Sequence, residues 1–218
     1  MRTADRRLFV SAFTAQQLTE RWSGPRPTDV VVHEGLTLPR GEVRPLEERG
    51  AAGDRPRQPP PAQADRGRTP PPRRRPGGAG RGRPGGGGRS TPCRRGADGA
   101  PLGRRPGPLS GDDLADLIAT SRLLVYPSAY EGFGLPPIEA YALGTPAVYR
   151  VTGAAREVLP DVPGGFDDED PERFAAAAEE ALALDDERLA AISAQMWERF
   201  DWSVVATRVA AALREDAG

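Results

Sequence analysis

The sequence predicts an α/β fold in which a parallel sheet is built from two stretches of ordinary folding text separated by a segment too polar to fold. Three observations predict it. Short apolar runs (Leu8-Phe9-Val10, Val30-Val31-Val32, Leu123-Leu124-Val125-Tyr126 and Ala147-Val148-Tyr149) alternate with amphipathic text of helix length. That is the pattern of strands joined by crossover helices. From Ala51 to Gly107 there is no Val, Ile, Phe, Trp, Tyr or Met, and the only Leu is Leu102. Finally, a glycine-rich turn after Tyr130 joins a strand to a helix, and open parallel sheets bind ligands at such junctions.

The first part, residues 1–47, opens on a strand at Leu8 to Val10. Ser11 can cap a helix running through Leu18 to Trp22, because a serine hydroxyl accepts from an orphan N–H of the first turn. A second strand at Val30 to Val32 follows, then a turn at Gly35. His33, the one histidine, reads as a loop residue with no metal-ligand cluster beside it.

Residues 48–107 are Arg, Pro and Gly text: Pro59-Pro60-Pro61, Pro70-Pro71-Pro72-Arg73-Arg74-Arg75 and Gly85-Gly86-Gly87-Gly88. Ordering a backbone costs about 1–2 kcal/mol per residue, and this segment has almost no apolar surface to offset that. The expectation is a long disordered, basic insert.

Residues 108–218 return to folding text. Ser110 can cap a helix with Leu114, Leu117 and Ile118 on one face. Next come the strand at Leu123, the glycine-rich loop, a helix-like run from Ile138 to Leu143 that stops at Gly144, and the strand at Ala147. Asp170-Pro171 starts an Ala-rich helix to about Leu184. Another helix spans Asp186 to Phe200, with Leu189, Ile192 and Met196 at helical spacing, and a last one holds Val204, Val205, Val209 and Leu213. These stripes, with Trp197 and Trp202, read as core contacts.

The chain has 218 residues, with 30 basic and 31 acidic, so its total charge points to no polyanionic partner. The single Cys93 excludes an internal disulfide and suits a reducing cytoplasm. No apolar run is long enough to span a bilayer. Lys and Asn are both missing, so every strong cation is Arg. Since Lys and Asn have A-rich codons, their absence points to a GC-rich gene.

The richest chemistry lies in Tyr130-Glu131-Gly132-Phe133-Gly134-Leu135-Pro136-Pro137-Ile138-Glu139-Ala140. Gly132 and Gly134 let the backbone approach a ligand closely. Their N–H groups, with those of Phe133 and Leu135, can face an anion. Pro136 or Pro137 suits a first helical turn, whose positive end favours phosphate. Glu139 is expected in that first turn. A carboxylate accepts from two adjacent hydroxyls of a sugar, so Glu139 and Glu131 together suggest a ligand with both phosphate and sugar. The plainer alternative is that Glu139 only complements the helix dipole and Glu131 is a solvated loop residue.

This stretch, with Pro127-Ser128 before it and Ala142-Leu143-Gly144-Thr145-Pro146 after it, resembles the E-x7-E signature of family 4 retaining glycosyltransferases. These are two-domain GT-B enzymes that use nucleotide-sugar donors. Arg156-Glu157-Val158, Gly165-Phe166, the Pro171-led helix and Phe200-Asp201-Trp202-Ser203 are similar to the tail of that family's C-terminal domain. The resemblance covers about residues 101–214 and roughly the first forty.

It implies an incomplete Rossmann-like half-domain (the GT-B C-terminal, donor-binding one) at 108–218. Residues 1–47 would be the end of the N-terminal domain and the crossing between domains. Glu131 would contact the donor hexose and carry catalysis; Gly132, Phe133, Gly134 and Leu135 would present N–H groups to the sugar and diphosphate. Glu139 would bind the ribose hydroxyls. The partners implied are a nucleotide-diphosphate sugar and an acceptor hydroxyl on a glycan or lipid-linked molecule. No metal and no further cofactor are expected.

In the family the middle should supply sheet strands and the Arg and Lys that clamp the diphosphate, an electrostatic role that is often the largest catalytic term. Three readings of residues 48–107 stay open. A pair of compensating frame changes in GC-rich DNA would give such text and an impaired enzyme. A non-catalytic remnant is a second reading. A genuine Arg/Gly-rich RNA or polyanion binder is the third, weakened because single-strand binders stack bases on aromatics and this segment has none.

Overall fold

The computed structural model describes residues 7–21, 24–41, 43–49, 91–92, 104–105, 107–167 and 169–214. Two compact units divide the chain, Met1–Gly53 with Ser110–Gly218 and, separately, Asp54–Leu109. The first unit opens with β1 (Arg7–Phe9), α1 (Ala12–Arg21) and β2 (Asp29–Val31). β1 and β2 pair in parallel, Leu8 opposite Val30. Ser11 caps α1 as expected, its Oγ accepting from the Thr14 N–H at 3.1 Å. Arg7 Nε and Nη2 fork onto the Asp29 carboxylate at 2.6 and 2.5 Å, pinning the two strand starts.

Within the second unit the described structure is one short antiparallel pair, β3 (Thr91–Pro92) with β4 (Arg104–Arg105). The rest of the expected disordered insert, apart from Glu48, Arg49 and Gly107, lies outside the described residues.

The main body of the first unit runs α2 (Gly111–Thr120), β5 (Leu124–Tyr126), α3 (Leu135–Ala142), β6 (Ala147–Arg150), α4 (Ala155–Val158), β7 (Gly165–Phe166), α5 (Pro171–Leu182), α6 (Asp186–Phe200) and α7 (Trp202–Arg214). β5, β6 and β7 form a parallel sheet in that order, with Val125 opposite Val148. Parallel neighbours need crossover connections, and here α3 and α4 supply them. The α/β class is as expected. The start of α4 at Ala155 carried no strong sequence signal, since the helix is one turn long.

Helix starts follow their caps. Ser110 accepts from the Asp113 N–H, Asp170 from Glu172 and Asp185 from Arg188. Pro171 opens α5 where a missing N–H costs nothing. α3 is buried along Pro137 to Ala142, because α6 covers one side of it with Leu189, Ile192, Met196, Trp197 and Phe200. The last carbonyls of α3 are satisfied from outside the helix. Ser193 Oγ and Trp197 Nε1 donate to Ala142 O at 2.6 and 2.9 Å. The buried Arg49 guanidinium donates to Gly144 O and, at 3.2 Å, to Thr145 Oγ1. Burial pushes the Arg49 pKa down, with the Asp186 carboxylate opposing the shift.

Two packing expectations need correction. On α2 the buried face is Ala115, Ile118 and Ala119, at i, i+3 and i+4 spacing. Leu114 and Leu117 are 38% and 41% exposed, because they lie round the helix from the Ala115, Ile118 and Ala119 side that is covered. On α7, Val205 and Ala212 are buried, whereas Leu213 and Trp202 are more than half exposed. Trp202 still packs with one face of its indole against Gly35. No described helix is long and apolar enough to cross a membrane.

Candidate functional site

The crevice at the C-terminal ends of β5 and β6 is lined by Tyr126, Ser128, Glu131, Gly134, Arg150 and Thr152, among others. The sequence builds it in a few steps. β5 ends at Tyr126, and Pro127 prevents further ladder pairing there. The loop then returns to α3 through Gly134, whose φ of 86° lies in the left-handed region that non-glycine residues avoid. α3 starts at Leu135, with Pro136 and Pro137 both in its first turn.

The loop is fixed from behind by the first segment of the chain. Ser11 Oγ donates to Gly132 O at 2.6 Å. Phe133 turns inward, 4% exposed, with its ring 5.7 Å from that of His33 and 5.9 Å from that of Phe200. His33 Nε2 pairs with Glu157 Oε1 at 2.7 Å. Glu157 also accepts from the Ala12 N–H at 2.9 Å, so one carboxylate ties α1, the His33 loop and α4 together. Gly153 (φ 55°) leaves room for the loop, since a Cβ there would stand 2.5 Å from Glu131 O.

Glu131 is held by two hydroxyls on one oxygen. Tyr126 donates to Oε1 at 2.5 Å and Ser128 donates to the same atom at 2.7 Å. Partial burial, and then the bond to Glu131, push the Tyr126 phenol up to about 12, so it stays a donor throughout the neutral range. Both of these bonds fall on Oε1, and a carboxylate has acceptor capacity on each of its two oxygens. Of the six expected donor residues only Glu131 and Gly134 line this crevice, and the six do not share one exposure. Gly132, Gly134, Leu135 and Glu131 are partly exposed, while Phe133 and Glu139 are buried.

Glu139 differs from its expected place. It sits in the second turn of α3, 7% exposed, and accepts from Thr37 Oγ1. α3 begins at Leu135, three residues ahead of the apolar run that suggested its start, and this carries Glu139 one turn further in. Thr37, Tyr126, Ser128 and Ser11 were not legible as site residues. Of these, only Ser128, three positions before Glu131, carried a local signal, since short hydroxyl side chains bond nearby groups in turns. Among the described residues no group of three His, Cys, Asp or Glu could hold a metal ion.

A glycine turn and a helix start at the C-terminal edge of a parallel sheet form the kind of place where open α/β sheets bind ligands and where anions are favoured. The comparisons narrow the class. The family profile described as Glycosyl transferases group 1 matches residues 105–196. The chain is 38% identical over 108 residues to the D-inositol 3-phosphate glycosyltransferase of Thermobispora bispora, covering 47% of this chain and 25% of that one. It is 50% identical over 51 residues to the MMP alpha-(1->4)-mannosyltransferase of Mycolicibacterium hassiacum, covering 23% and 12%. An O-antigen chain mannosyltransferase B of Escherichia coli is 34% identical over 104 residues, covering 47% and 27%. Sucrose-phosphate synthase from Thermosynechococcus elongatus aligns with 50% of this chain and 29% of its own, at TM-score 0.44 and 27% identity. The chain therefore spans about a quarter or less of the length of these curated relatives.

Proposed function

We propose that the chain derives from a family 4 retaining glycosyltransferase that moves a sugar from a nucleotide-diphosphate donor to an acceptor hydroxyl, and that its own turnover is impaired. The observation that carries the reading is Glu131, fixed on one oxygen by Tyr126 and Ser128 at the mouth of the crevice. In this reading Glu131 accepts from a donor hexose hydroxyl and is the catalytic residue. The N–H groups of Gly132, Gly134 and Leu135 face the sugar and diphosphate, with Phe133 shaping the loop from within. Glu139 accepts from ribose hydroxyls once Thr37 yields its bond.

Residues 1–47 are then the end of an acceptor-binding domain and the crossing to the donor domain at 108–218. Impairment follows from composition, because the sequence contains no Lys to share the diphosphate charge. We place the chain in the cytoplasm, where Cys93 needs no partner. The acceptor is a hydroxyl of a glycan or a lipid-linked molecule.

A transfer assay on the purified chain with a panel of nucleotide sugars tests the reading. Donor binding with little turnover is expected. Turnover at ordinary enzyme rates, about 1 s⁻¹ or faster, contradicts the impairment, and failure to bind any donor contradicts the whole reading. Reading the gene in all frames across codons 45–108 tests the cause. A hydrophobic, strand-patterned alternative frame supports damage to a working enzyme, whereas a clean single frame favours a genuine polyanion-binding segment.

A further inference from the structure

Arg150 ends β6 one residue beyond the Tyr126–Tyr149 pair, which puts it level with the start of the Glu131 loop. It lines the same crevice as Glu131, Gly134 and Thr152. Its side chain is 18% exposed and reaches one carboxylate, Glu169, at 3.3 Å; Glu169 is itself 85% exposed. An ion pair to so exposed a partner holds Arg150 by no more than about fivefold. Among the described residues the Arg150 Nε is buried with no hydrogen-bond partner, a costly state for an N–H group. Arg150 is the one arginine lining this crevice among the described residues.

A guanidinium at the C-terminal end of a parallel strand, beside a glycine turn and short of acceptors, suits a diphosphate. Its planar fork matches two phosphate oxygens. We infer that Arg150 is the diphosphate-binding cation of this chain, releasing Glu169 to take the donor's phosphate oxygens. The inference rests on the donor reading above.

In the transfer step the donor C1–O bond breaks and its electron pair leaves on the phosphate oxygen, adding one negative charge to the nucleoside diphosphate. The acceptor oxygen forms the new C1–O bond and its proton passes to the departing phosphate. Arg150 would stabilise the added charge from an ordered strand, a placement that the polar middle segment was not expected to provide.

Calorimetric titration of the full chain with UDP and GDP, and with uridine and guanosine as the matched nucleosides, tests this. The unaltered chain should prefer a diphosphate to its nucleoside. Arg150→Gln should weaken the diphosphate about tenfold, the size of one charge-assisted hydrogen bond, and leave the nucleoside unchanged. Arg150→Lys should recover part of the loss. Glu169→Gln, at an exposed position that folding does not depend on, should tighten diphosphate binding by about two- to fivefold; it decides the matter if Arg150→Gln does not fold. Undiminished diphosphate binding by Arg150→Gln, an equal loss for nucleosides, or no gain in Glu169→Gln overturns the role of Arg150 alone. No diphosphate binding by the unaltered chain overturns both this inference and the donor reading.

Discussion

The two faces of the β5–α3–β6 unit contrast in how they are covered. On the α3 side, α6 closes the core so fully that Ile138, Tyr141, Leu189, Met196 and Phe200 are without exposure. On the other side, β5 is the outer strand of its sheet among the described residues, Val125 is 52% exposed, and Leu114 and Leu117 stand partly in solvent. The glycine loop and Glu131 hang between these faces. The motif keeps its geometry because its supports come from the closed side and from the first segment: Ser11, His33, Thr37 and Phe200. A binding loop can thus hold its shape when only one flank of its sheet is packed.

The contrast is tested most strongly by paired truncations. Phe200→Ala should cost about 3–5 kcal/mol in a urea titration, whereas Leu117→Ala should stay within about 0.5 kcal/mol. Equal losses would break the comparison. Next in size is Arg49→Leu, which leaves the Gly144 carbonyl just beyond α3 without its guanidinium donor. It should cost about 1–3 kcal/mol, with faster hydrogen exchange at Leu143 and Gly144.

Gly153→Ala sharpens the view of the loop. Its Cβ would collide with the Glu131 carbonyl, in a conformation that costs a side chain roughly 1–2 kcal/mol. A lower melting temperature together with weaker donor binding is expected, while Gly24→Ala, with nothing within 4 Å of its Cβ, should do neither. Val125→Lys addresses the open flank. Stability should hold within about 0.5 kcal/mol while light scattering on concentration falls, since lysine on an outer strand blocks edge pairing.

The smallest effect concerns pH. Hydrogen bonding from Arg7 holds the Asp29 carboxyl below the usual range. Its contribution is present above the unfolded carboxylate pKa, about 4, and is lost as pH falls through the lower folded value. Acid should therefore loosen β1 from β2 in a step that Asp29→Asn lacks, followed by hydrogen exchange.

Much of this was legible in sequence, and the reason differs by element. α5 announced itself through Asp170-Pro171 and α6 through Leu189, Ile192 and Met196 at helical spacing, because caps and periodicity are local. The loop was legible because its glycines, prolines and carboxylates are adjacent in sequence. Thr37 on Glu139 and Ser11 on Gly132 were not, because those bonds join positions about a hundred residues apart and only the fold brings them together. The placing of Leu114 and Leu117 failed for a related reason. Periodicity shows that a helix has an apolar face, and the neighbouring elements decide which part of that face is covered.

The most direct measurement is calorimetry of the full chain with a panel of nucleotide-diphosphate sugars, UDP-glucose and GDP-mannose included, for the unaltered protein and Glu131→Gln. At least one sugar nucleotide should bind, and Glu131→Gln should weaken it about tenfold while leaving the matching free nucleoside diphosphate unchanged, because Glu131 touches the sugar. Binding of none of the panel, or equal sugar-nucleotide binding by Glu131→Gln, would contradict a donor site built on this loop.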